Sequence, residues 1–141
     1  MAEASARIKL IEGIQLLGES GSGHTVVMDA SPEVGGRNMG VRPMELLLVG
    51  MGGCTAIDLL TILRKGRHAV TDCEVLLKGI RAETEPKVYT TISVHYVVTG
   101  QAIPPSAVER AIQLSEEKYC SASAMLGKTA EIRSTYEIKE G

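Results

Sequence analysis

The chain contains no phenylalanine and no tryptophan, and its only large rings are four tyrosines. A core built without them has to come from Leu, Ile, Val, Met and Ala. Nothing resembling a basic stripe is present: 15 Lys and Arg stand against 17 Asp and Glu, the net charge is −2, and the cations are scattered. That distribution argues against nucleic acid and anionic lipid as partners. Residues 1–10 (MAEASARIKL) lack the basic start, apolar stretch and small-residue cleavage site of a secretory signal, so a cytoplasmic location is expected. The longest uncharged apolar-rich stretch, residues 46–57, lies between Glu45 and Asp58. At 12 residues it is too short for a membrane span and reads as part of a buried core helix.

The three cysteines, Cys54, Cys73 and Cys120, include no Cys-x-x-Cys, and none has a nearby histidine pair. The spacing therefore gives no metal site, and His24, His68 and His95 are likewise too far apart in sequence to form one. In a reducing compartment such separated thiols are either inert core or redox chemistry. With 141 residues, 44% of them hydrophobic and 23% charged, the chain is expected to form a single domain, residues 1–141. A domain of this length buries about two-thirds of its unfolded surface and needs no covalent staples.

Residues 8–18 and 24–30 have strand character around Ser20-Gly21-Ser22-Gly23, which predicts an antiparallel hairpin or meander. Residues 31–42, with three glycines and a proline, read as a loop. From Pro43 to Lys65 the sequence is apolar on nearly every side. Proline suits its first turn, and Arg64 and Lys65 suit its last, so a buried central helix is expected. Gly50, Gly52 and Gly53 lower its helix propensity, and their expected use is the close approach of another backbone.

Residues 70–82 and 88–98 read as a strand pair around the turn at 83–87. After Pro104-Pro105, Ser106 with Glu109 has the spacing of a capping box. Val108, Ala111, Ile112, Ser115, Tyr119 and Ala122 then mark one face of a second, amphipathic helix. Residues 129–139 alternate as a last strand. The predicted class is α+β, with antiparallel sheet strands, a long buried central helix and a second amphipathic helix.

Asp58 lies one turn after Cys54 on the same helix face, and a carboxylate in that setting needs a basic group or a backbone donor. Cys120 is followed by small residues that leave room around its sulfur. Cys73, between Asp72 and Glu74, has neighbours that disfavour a thiolate and reads as structural. Gly50-x-Gly52 begins a dinucleotide-binding fingerprint, but Thr55 stands where its third glycine belongs, and repeated βαβ units do not follow. The methionines read as core filler.

Three segments together resemble the OsmC-like family, named for the osmotically inducible protein C, which includes the organic hydroperoxide resistance proteins. They are the Gly35-Gly36-Arg37-Asn38-Met39-Gly40 loop leading into Pro43, the run Gly52-Gly53-Cys54-Thr55-Ala56-Ile57-Asp58, and Tyr119-Cys120-Ser121-Ala122-Ser123-Ala124-Met125-Leu126. The resemblance implies an intertwined homodimer with buried central helices and a thiol site at the subunit interface. It makes Cys54 the peroxidatic cysteine and Cys120 the resolving one. The substrate would be an organic hydroperoxide, with hydrogen peroxide a poorer one, and the reductant an external dithiol, of lipoyl type in the family. No cofactor is implied.

The chain departs from the hydroperoxide-resistance branch at three places: Met44 where that branch has glutamate, no arginine within residues 13–23, and Ser121 where proline is usual. Arg37, Arg42, Glu45 and Asp58 are accordingly the candidates for activating the thiol. These departures place the chain with the less characterised OsmC-like proteins. They also keep two alternatives open: a binding protein holding a small apolar ligand at the interface, and a stress protein without thiol chemistry.

Overall fold

Strand β1 (Ala6–Glu12) turns back at Gly13 into β2 (Gln15–Ser20), and β3 (Thr25–Met28) completes an antiparallel sheet of order β1-β2-β3 in this computed structural model, which describes residues 2–141. The segment expected as one strand over 8–18 is thus split. Gly13 has φ 62°, a left-handed conformation that glycine adopts without a Cβ penalty, and it lets Glu12 pair with Gln15 across a two-residue turn. The result is the meander, with the second turn where the Ser20-Gly21-Ser22-Gly23 run placed it. The chain divides into two compact units, residues 1–47 and 48–141.

The loop that closes the first unit is organised by Asp29. Its carboxylate is buried and accepts from the backbone N–H groups of Ala30 (2.8 Å), Arg37 (3.1 Å) and Met39 (3.1 Å). Burial alone would raise its pKa, but these three amides, aided by the Arg37 charge, outweigh it and hold the carboxyl below its ordinary value of 3.8. A lowered folded pKa is a stabilising contribution that is present at neutral pH and lost only as pH falls below about 3.8. Asp29→Asn is therefore expected to loosen this loop at pH 7, read as faster amide exchange at Arg37 and Met39, while the wild-type loop loosens only in acid. Gly36 passes so close to the main chain that a Cβ there would sit 1.9 Å from the Ala30 oxygen, so this position of the glycine loop tolerates no side chain.

Helix α1 spans Pro43–Lys65, the bounds its composition predicts. Within the chain it buries Met51, Gly52, Thr55, Leu59 and Leu63, whereas Val49 and Ile57 remain 61% and 66% exposed. A helix apolar all round is therefore not buried all round in one chain. By length and composition alone it is also apolar enough to cross a membrane. Of its three glycines only Gly52 meets a neighbour: a Cβ there would stand 2.7 Å from Leu77 Cδ1, while Gly50 and Gly53 face open space. The close approach is to a side chain, not to a second backbone.

In the second unit, β4 (Ala69–Arg81) pairs antiparallel with β5 (Tyr89–Gln101). β6 (Glu131–Glu140) lies parallel to β5, giving the order β4-β5-β6. The antiparallel expectation thus holds for every pair except the last. The connection over residues 102–130 is long enough to cross the sheet and return in the same direction, which a parallel pair requires. As the middle strand, β5 is buried most deeply, with Ile92, Val94, Tyr96 and Val98 at 0 to 1% exposure.

The crossover differs from the single helix expected. α2 spans Pro105–Leu114, with Pro104 at its N-cap and no side-chain cap. Glu109 is drawn away from the capping-box role: its carboxylate accepts from the Tyr136 hydroxyl at 2.6 Å. A wide π-type turn, Ser115–Tyr119, follows and then α3, Ser121–Leu126. The extra residue in the wide turn shifts the helical phase, which leaves Tyr119 51% exposed although its spacing put it on the buried face.

Candidate functional site

Cys54 and Asp58 project from one face of α1 a single turn apart, as the i, i+4 spacing requires. Cys120 reaches the same place by a different route. The chain leaves the wide turn there in an extended conformation (φ −78°, ψ 101°), with the Cys120 N–H on the Ser115 carbonyl at 2.7 Å, and the thiol sits buried at the start of α3. The two sulfurs and a carboxylate oxygen of Asp58 all lie within 4.8 Å of one another. Cys54 and Asp58 are half-buried and Cys120 is buried.

The Cys120 sulfur accepts from the Ser123 N–H at 3.3 Å and from the Ser123 hydroxyl at 3.1 Å. Burial pushes this thiol up. The Ser123 bonds oppose the rise and the adjacent Cys54 side chain adds to it, for a net increase. Cys120 thus stays protonated at neutral pH. Cys73 is raised as well, first by burial and then by Asp72, in keeping with a structural role.

The partner of Asp58 is neither a cation nor a backbone N–H. The Ser115 hydroxyl donates to its Oδ2 at 2.9 Å. Behind Ser115 runs a chain of buried hydroxyls that sequence reasoning missed. Thr55 Oγ1 lies 2.7 Å from Ser115 Oγ and 3.1 Å from the Tyr96 hydroxyl, and Tyr96 donates to a carboxylate oxygen of Glu116, which also accepts from Ser134 at 2.5 Å. Thr55, Tyr96 and Ser115 are all at 0% exposure.

Each hydroxyl has one hydrogen to give. Ser115 gives its own to Asp58 and Tyr96 gives its own to Glu116, so Thr55 can donate to only one of its two neighbours. The chain closes at every contact only when one of the terminal carboxylates brings a proton. Burial, followed by the bond to Glu116, raises the Tyr96 phenol well above its ordinary value of 10.0. The one sequence clue to this network was polarity out of place: Thr55 on an apolar helix and Ser115 on an apolar face.

The remaining candidates have partners within the first unit. Arg37 Nη2 reaches Gln15 Oε1 at 3.1 Å and Glu12 Oε2 at 3.4 Å, and Arg42 Nη1 reaches Asn38 Oδ1 at 2.9 Å and the Gly40 carbonyl at 3.1 Å. Glu45 turns back to accept the Arg42 N–H at 2.9 Å, closing the first turn of α1. No ion pair with Asp58 occurs among the described residues. Two thiols and a carboxylate in mutual contact can exchange protons, form a disulfide after modest rotation, or act together as a donor set.

This two-sheet α+β fold with a long helix is the fold of solved OsmC-like proteins, among them one from Mycoplasma pneumoniae at 15% identity and a TM-score of 0.82 that covers 98% of each chain. The chain belongs to the OsmC-like protein family, whose profile matches residues 35–135. It is 46% identical over 133 residues to protein YhfA of Escherichia coli K12, a match covering 94% of this chain and 96% of that one. A crystal structure of a hypothetical protein from Aquifex aeolicus VF5 has 33% identity and a TM-score of 0.88, covering 100% of this chain and 99% of that one. The fold is shared with an organic hydroperoxide resistance protein from Legionella pneumophila, at 14% identity and a TM-score of 0.74, covering 97% and 98% of the two chains.

Proposed function

We propose that the chain is a cysteine-dependent reductase of organic hydroperoxides, with hydrogen peroxide a poorer substrate, acting in the cytoplasm in defence against oxidative or osmotic stress. The observation that carries this reading is the convergence of Cys54 and Cys120, distant in sequence, to within 4.8 Å. Sulfurs more than about 7 Å apart with no mobile segment between them would have favoured a protein without thiol chemistry.

In the first step the Cys54 thiolate attacks the outer peroxide oxygen. The O–O bond breaks, an alcohol leaves after taking up one proton, and Cys54 becomes a sulfenic acid. In the second step the Cys120 thiol displaces that hydroxyl as water and the Cys54–Cys120 disulfide forms. An external dithiol, of the lipoyl type, restores both thiols. Burial raises the Cys120 thiol, which disfavours it for the first step, and in the second step its proton leaves with the displaced hydroxyl as water. Asp58 is the charged group beside the sulfurs, and Ser115 fixes its orientation.

The test is stoichiometric: one equivalent of cumene hydroperoxide added to the reduced protein should yield one Cys54–Cys120 disulfide by peptide mass mapping. An unmodified pair after exposure would refute the assignment and favour a binding protein.

The working unit is a homodimer. Val49 and Ile57 of α1 are exposed, as are Ile8, Leu10 and Ile11 on β1, and a second copy would cover such surfaces. The glycines discriminate. If α1 is covered by a second copy, Gly50→Ala and Gly53→Ala should weaken the dimer on sedimentation. If that face stays in solvent, each should instead stabilise the helix by about 1 kcal/mol.

A further inference from the structure

The cysteine spacing of this chain contains no metal pattern, yet the fold assembles a donor set. The helical repeat brings Cys54 and Asp58 together, the break before α3 brings Cys120, and their donor atoms fall within 4.8 Å of one another. Among the described residues this is the one group of three or more His, Cys, Asp or Glu side chains drawn so close.

In a tetrahedral zinc site, with Zn–S near 2.3 Å and Zn–O of about 2.0 to 2.2 Å, neighbouring donors stand roughly 3.5 to 3.8 Å apart. With every pair of donor atoms within 4.8 Å, the contraction needed is at most roughly an ångström, within reach of small side-chain rotations. Two of the three donors already have the outer hydrogen bonds typical of metal ligands. Ser115 holds Asp58 Oδ2 at 2.9 Å and leaves the other carboxylate oxygen free of that bond. Ser123 directs its N–H and its hydroxyl at the Cys120 sulfur, the pattern that suits an anionic sulfur.

We propose that the reduced Cys54, Cys120 and Asp58 bind one thiophilic divalent cation of the zinc and cadmium class per chain. Binding exchanges two thiol protons for the ion: M²⁺ with two thiols and one carboxylate gives a complex of net charge −1 and releases two protons. Two sulfurs and one oxygen select against magnesium and calcium, which take oxygen donors only. Three protein ligands leave a fourth position for water or an exogenous thiol. The Asp58 end opens on a cavity of about 350 Å³ also lined by Thr61, Ile62, Lys65, Leu114 and Tyr119, which offers a way in.

The consequence is a redox-linked site. The same two sulfurs cannot hold an ion and form a disulfide, so oxidation of the pair expels the metal and occupancy shields both thiols. This holds whether or not the chain consumes peroxides.

The experiment titrates metal-stripped, reduced full-length protein with Cd²⁺ alone, following the thiolate-to-cadmium charge-transfer absorption, and with Zn²⁺ against a chromophoric chelator. One ion per chain with the absorbance of two thiolates is expected. Cys54→Ser and Cys120→Ser should each lose it, Cys73→Ser should retain it, and Ser115→Ala should weaken zinc binding roughly tenfold or more. Wild-type protein oxidised to the disulfide should bind none, which requires no substitution to fold. Stoichiometric binding that survives both serine variants, or that persists in the disulfide form, or no binding in competition with the chelator, would overturn the proposal. Peroxide consumption, assayed separately in chelator-treated protein, reports on the reductase reading by itself.

Discussion

Replacing Cys54 with serine is expected to reduce peroxide consumption to the uncatalysed background, a loss of at least roughly a thousandfold, the scale on which removal of a nucleophile acts in other enzymes. A serine hydroxyl ionises far less readily than a thiol, so it is no comparable nucleophile at neutral pH. The other thiols cannot substitute. Burial holds Cys120 protonated, and Cys73 is held protonated by burial and Asp72, so neither supplies thiolate at pH 7. Cys120→Ser should behave differently. Without added thiol it should consume one equivalent of peroxide and stall as the Cys54 sulfenic acid, which a dimedone adduct and its mass shift would reveal. Cys73→Ser should turn over as wild type. The measurement is peroxide consumption in the presence of dithiothreitol, and a Cys54→Ser variant that still turns over would end the assignment.

The contrast between the two cysteines also shows what the sequence made legible. Cys54 lies in a helix whose bounds, Pro43 and Lys65, follow from a proline at one end, cations at the other and apolar residues throughout. Its relation to Asp58 is local, fixed by helical geometry, and could be read off directly. The β4 and β5 strands were legible for the same reason, because alternation is a short-range pattern. Cys120 is different. The wide turn at Ser115–Tyr119 that frees it from the helix leaves no signature in a sequence whose apolar spacing continues through Tyr119 to Ala122.

Long-range pairing hid the rest. A basic group or a backbone donor was expected for Asp58, and a serine hydroxyl from the crossover takes that place. The Thr55, Tyr96 and Ser115 hydroxyls meet only after α1, β5 and the crossover have packed, and each in isolation is an unremarkable residue. Glu109 and Glu45 show the reverse: Ser106 starts no capping box because α2 begins at Pro105 with Pro104 as its N-cap, and Glu109 accepts from Tyr136, while Glu45, a candidate for chemistry, closes the first turn of α1.

Tyr96→Phe is the second substitution with a large expected effect, and that effect should shrink as pH rises. The ring would remain in the core, but Thr55 would keep only Ser115 and Glu116 only Ser134 as partners, and each lost hydrogen bond contributes about 0.5 to 1.5 kcal/mol, more where it meets a charge. At pH 7 the variant should therefore unfold several degrees below wild type in a thermal melt. The same hydroxyl makes the wild type sensitive to alkali. Burial raises the folded-state pKa of Tyr96 far above 10.0, whereas in the unfolded chain the phenol ionises near that value. Stability from a raised pKa is complete below the unfolded value and is lost as pH climbs past it toward the folded one, because only the unfolded state can release the proton. The wild type should thus lose stability steadily above about pH 10, and no phenolate absorbance from Tyr96 should appear before unfolding. Tyr96→Phe removes this dependence, so the two stability curves should converge as pH rises. Melts of both proteins across that range decide the matter: parallel curves would mean that Tyr96 is not held protonated by its burial and its bond to Glu116.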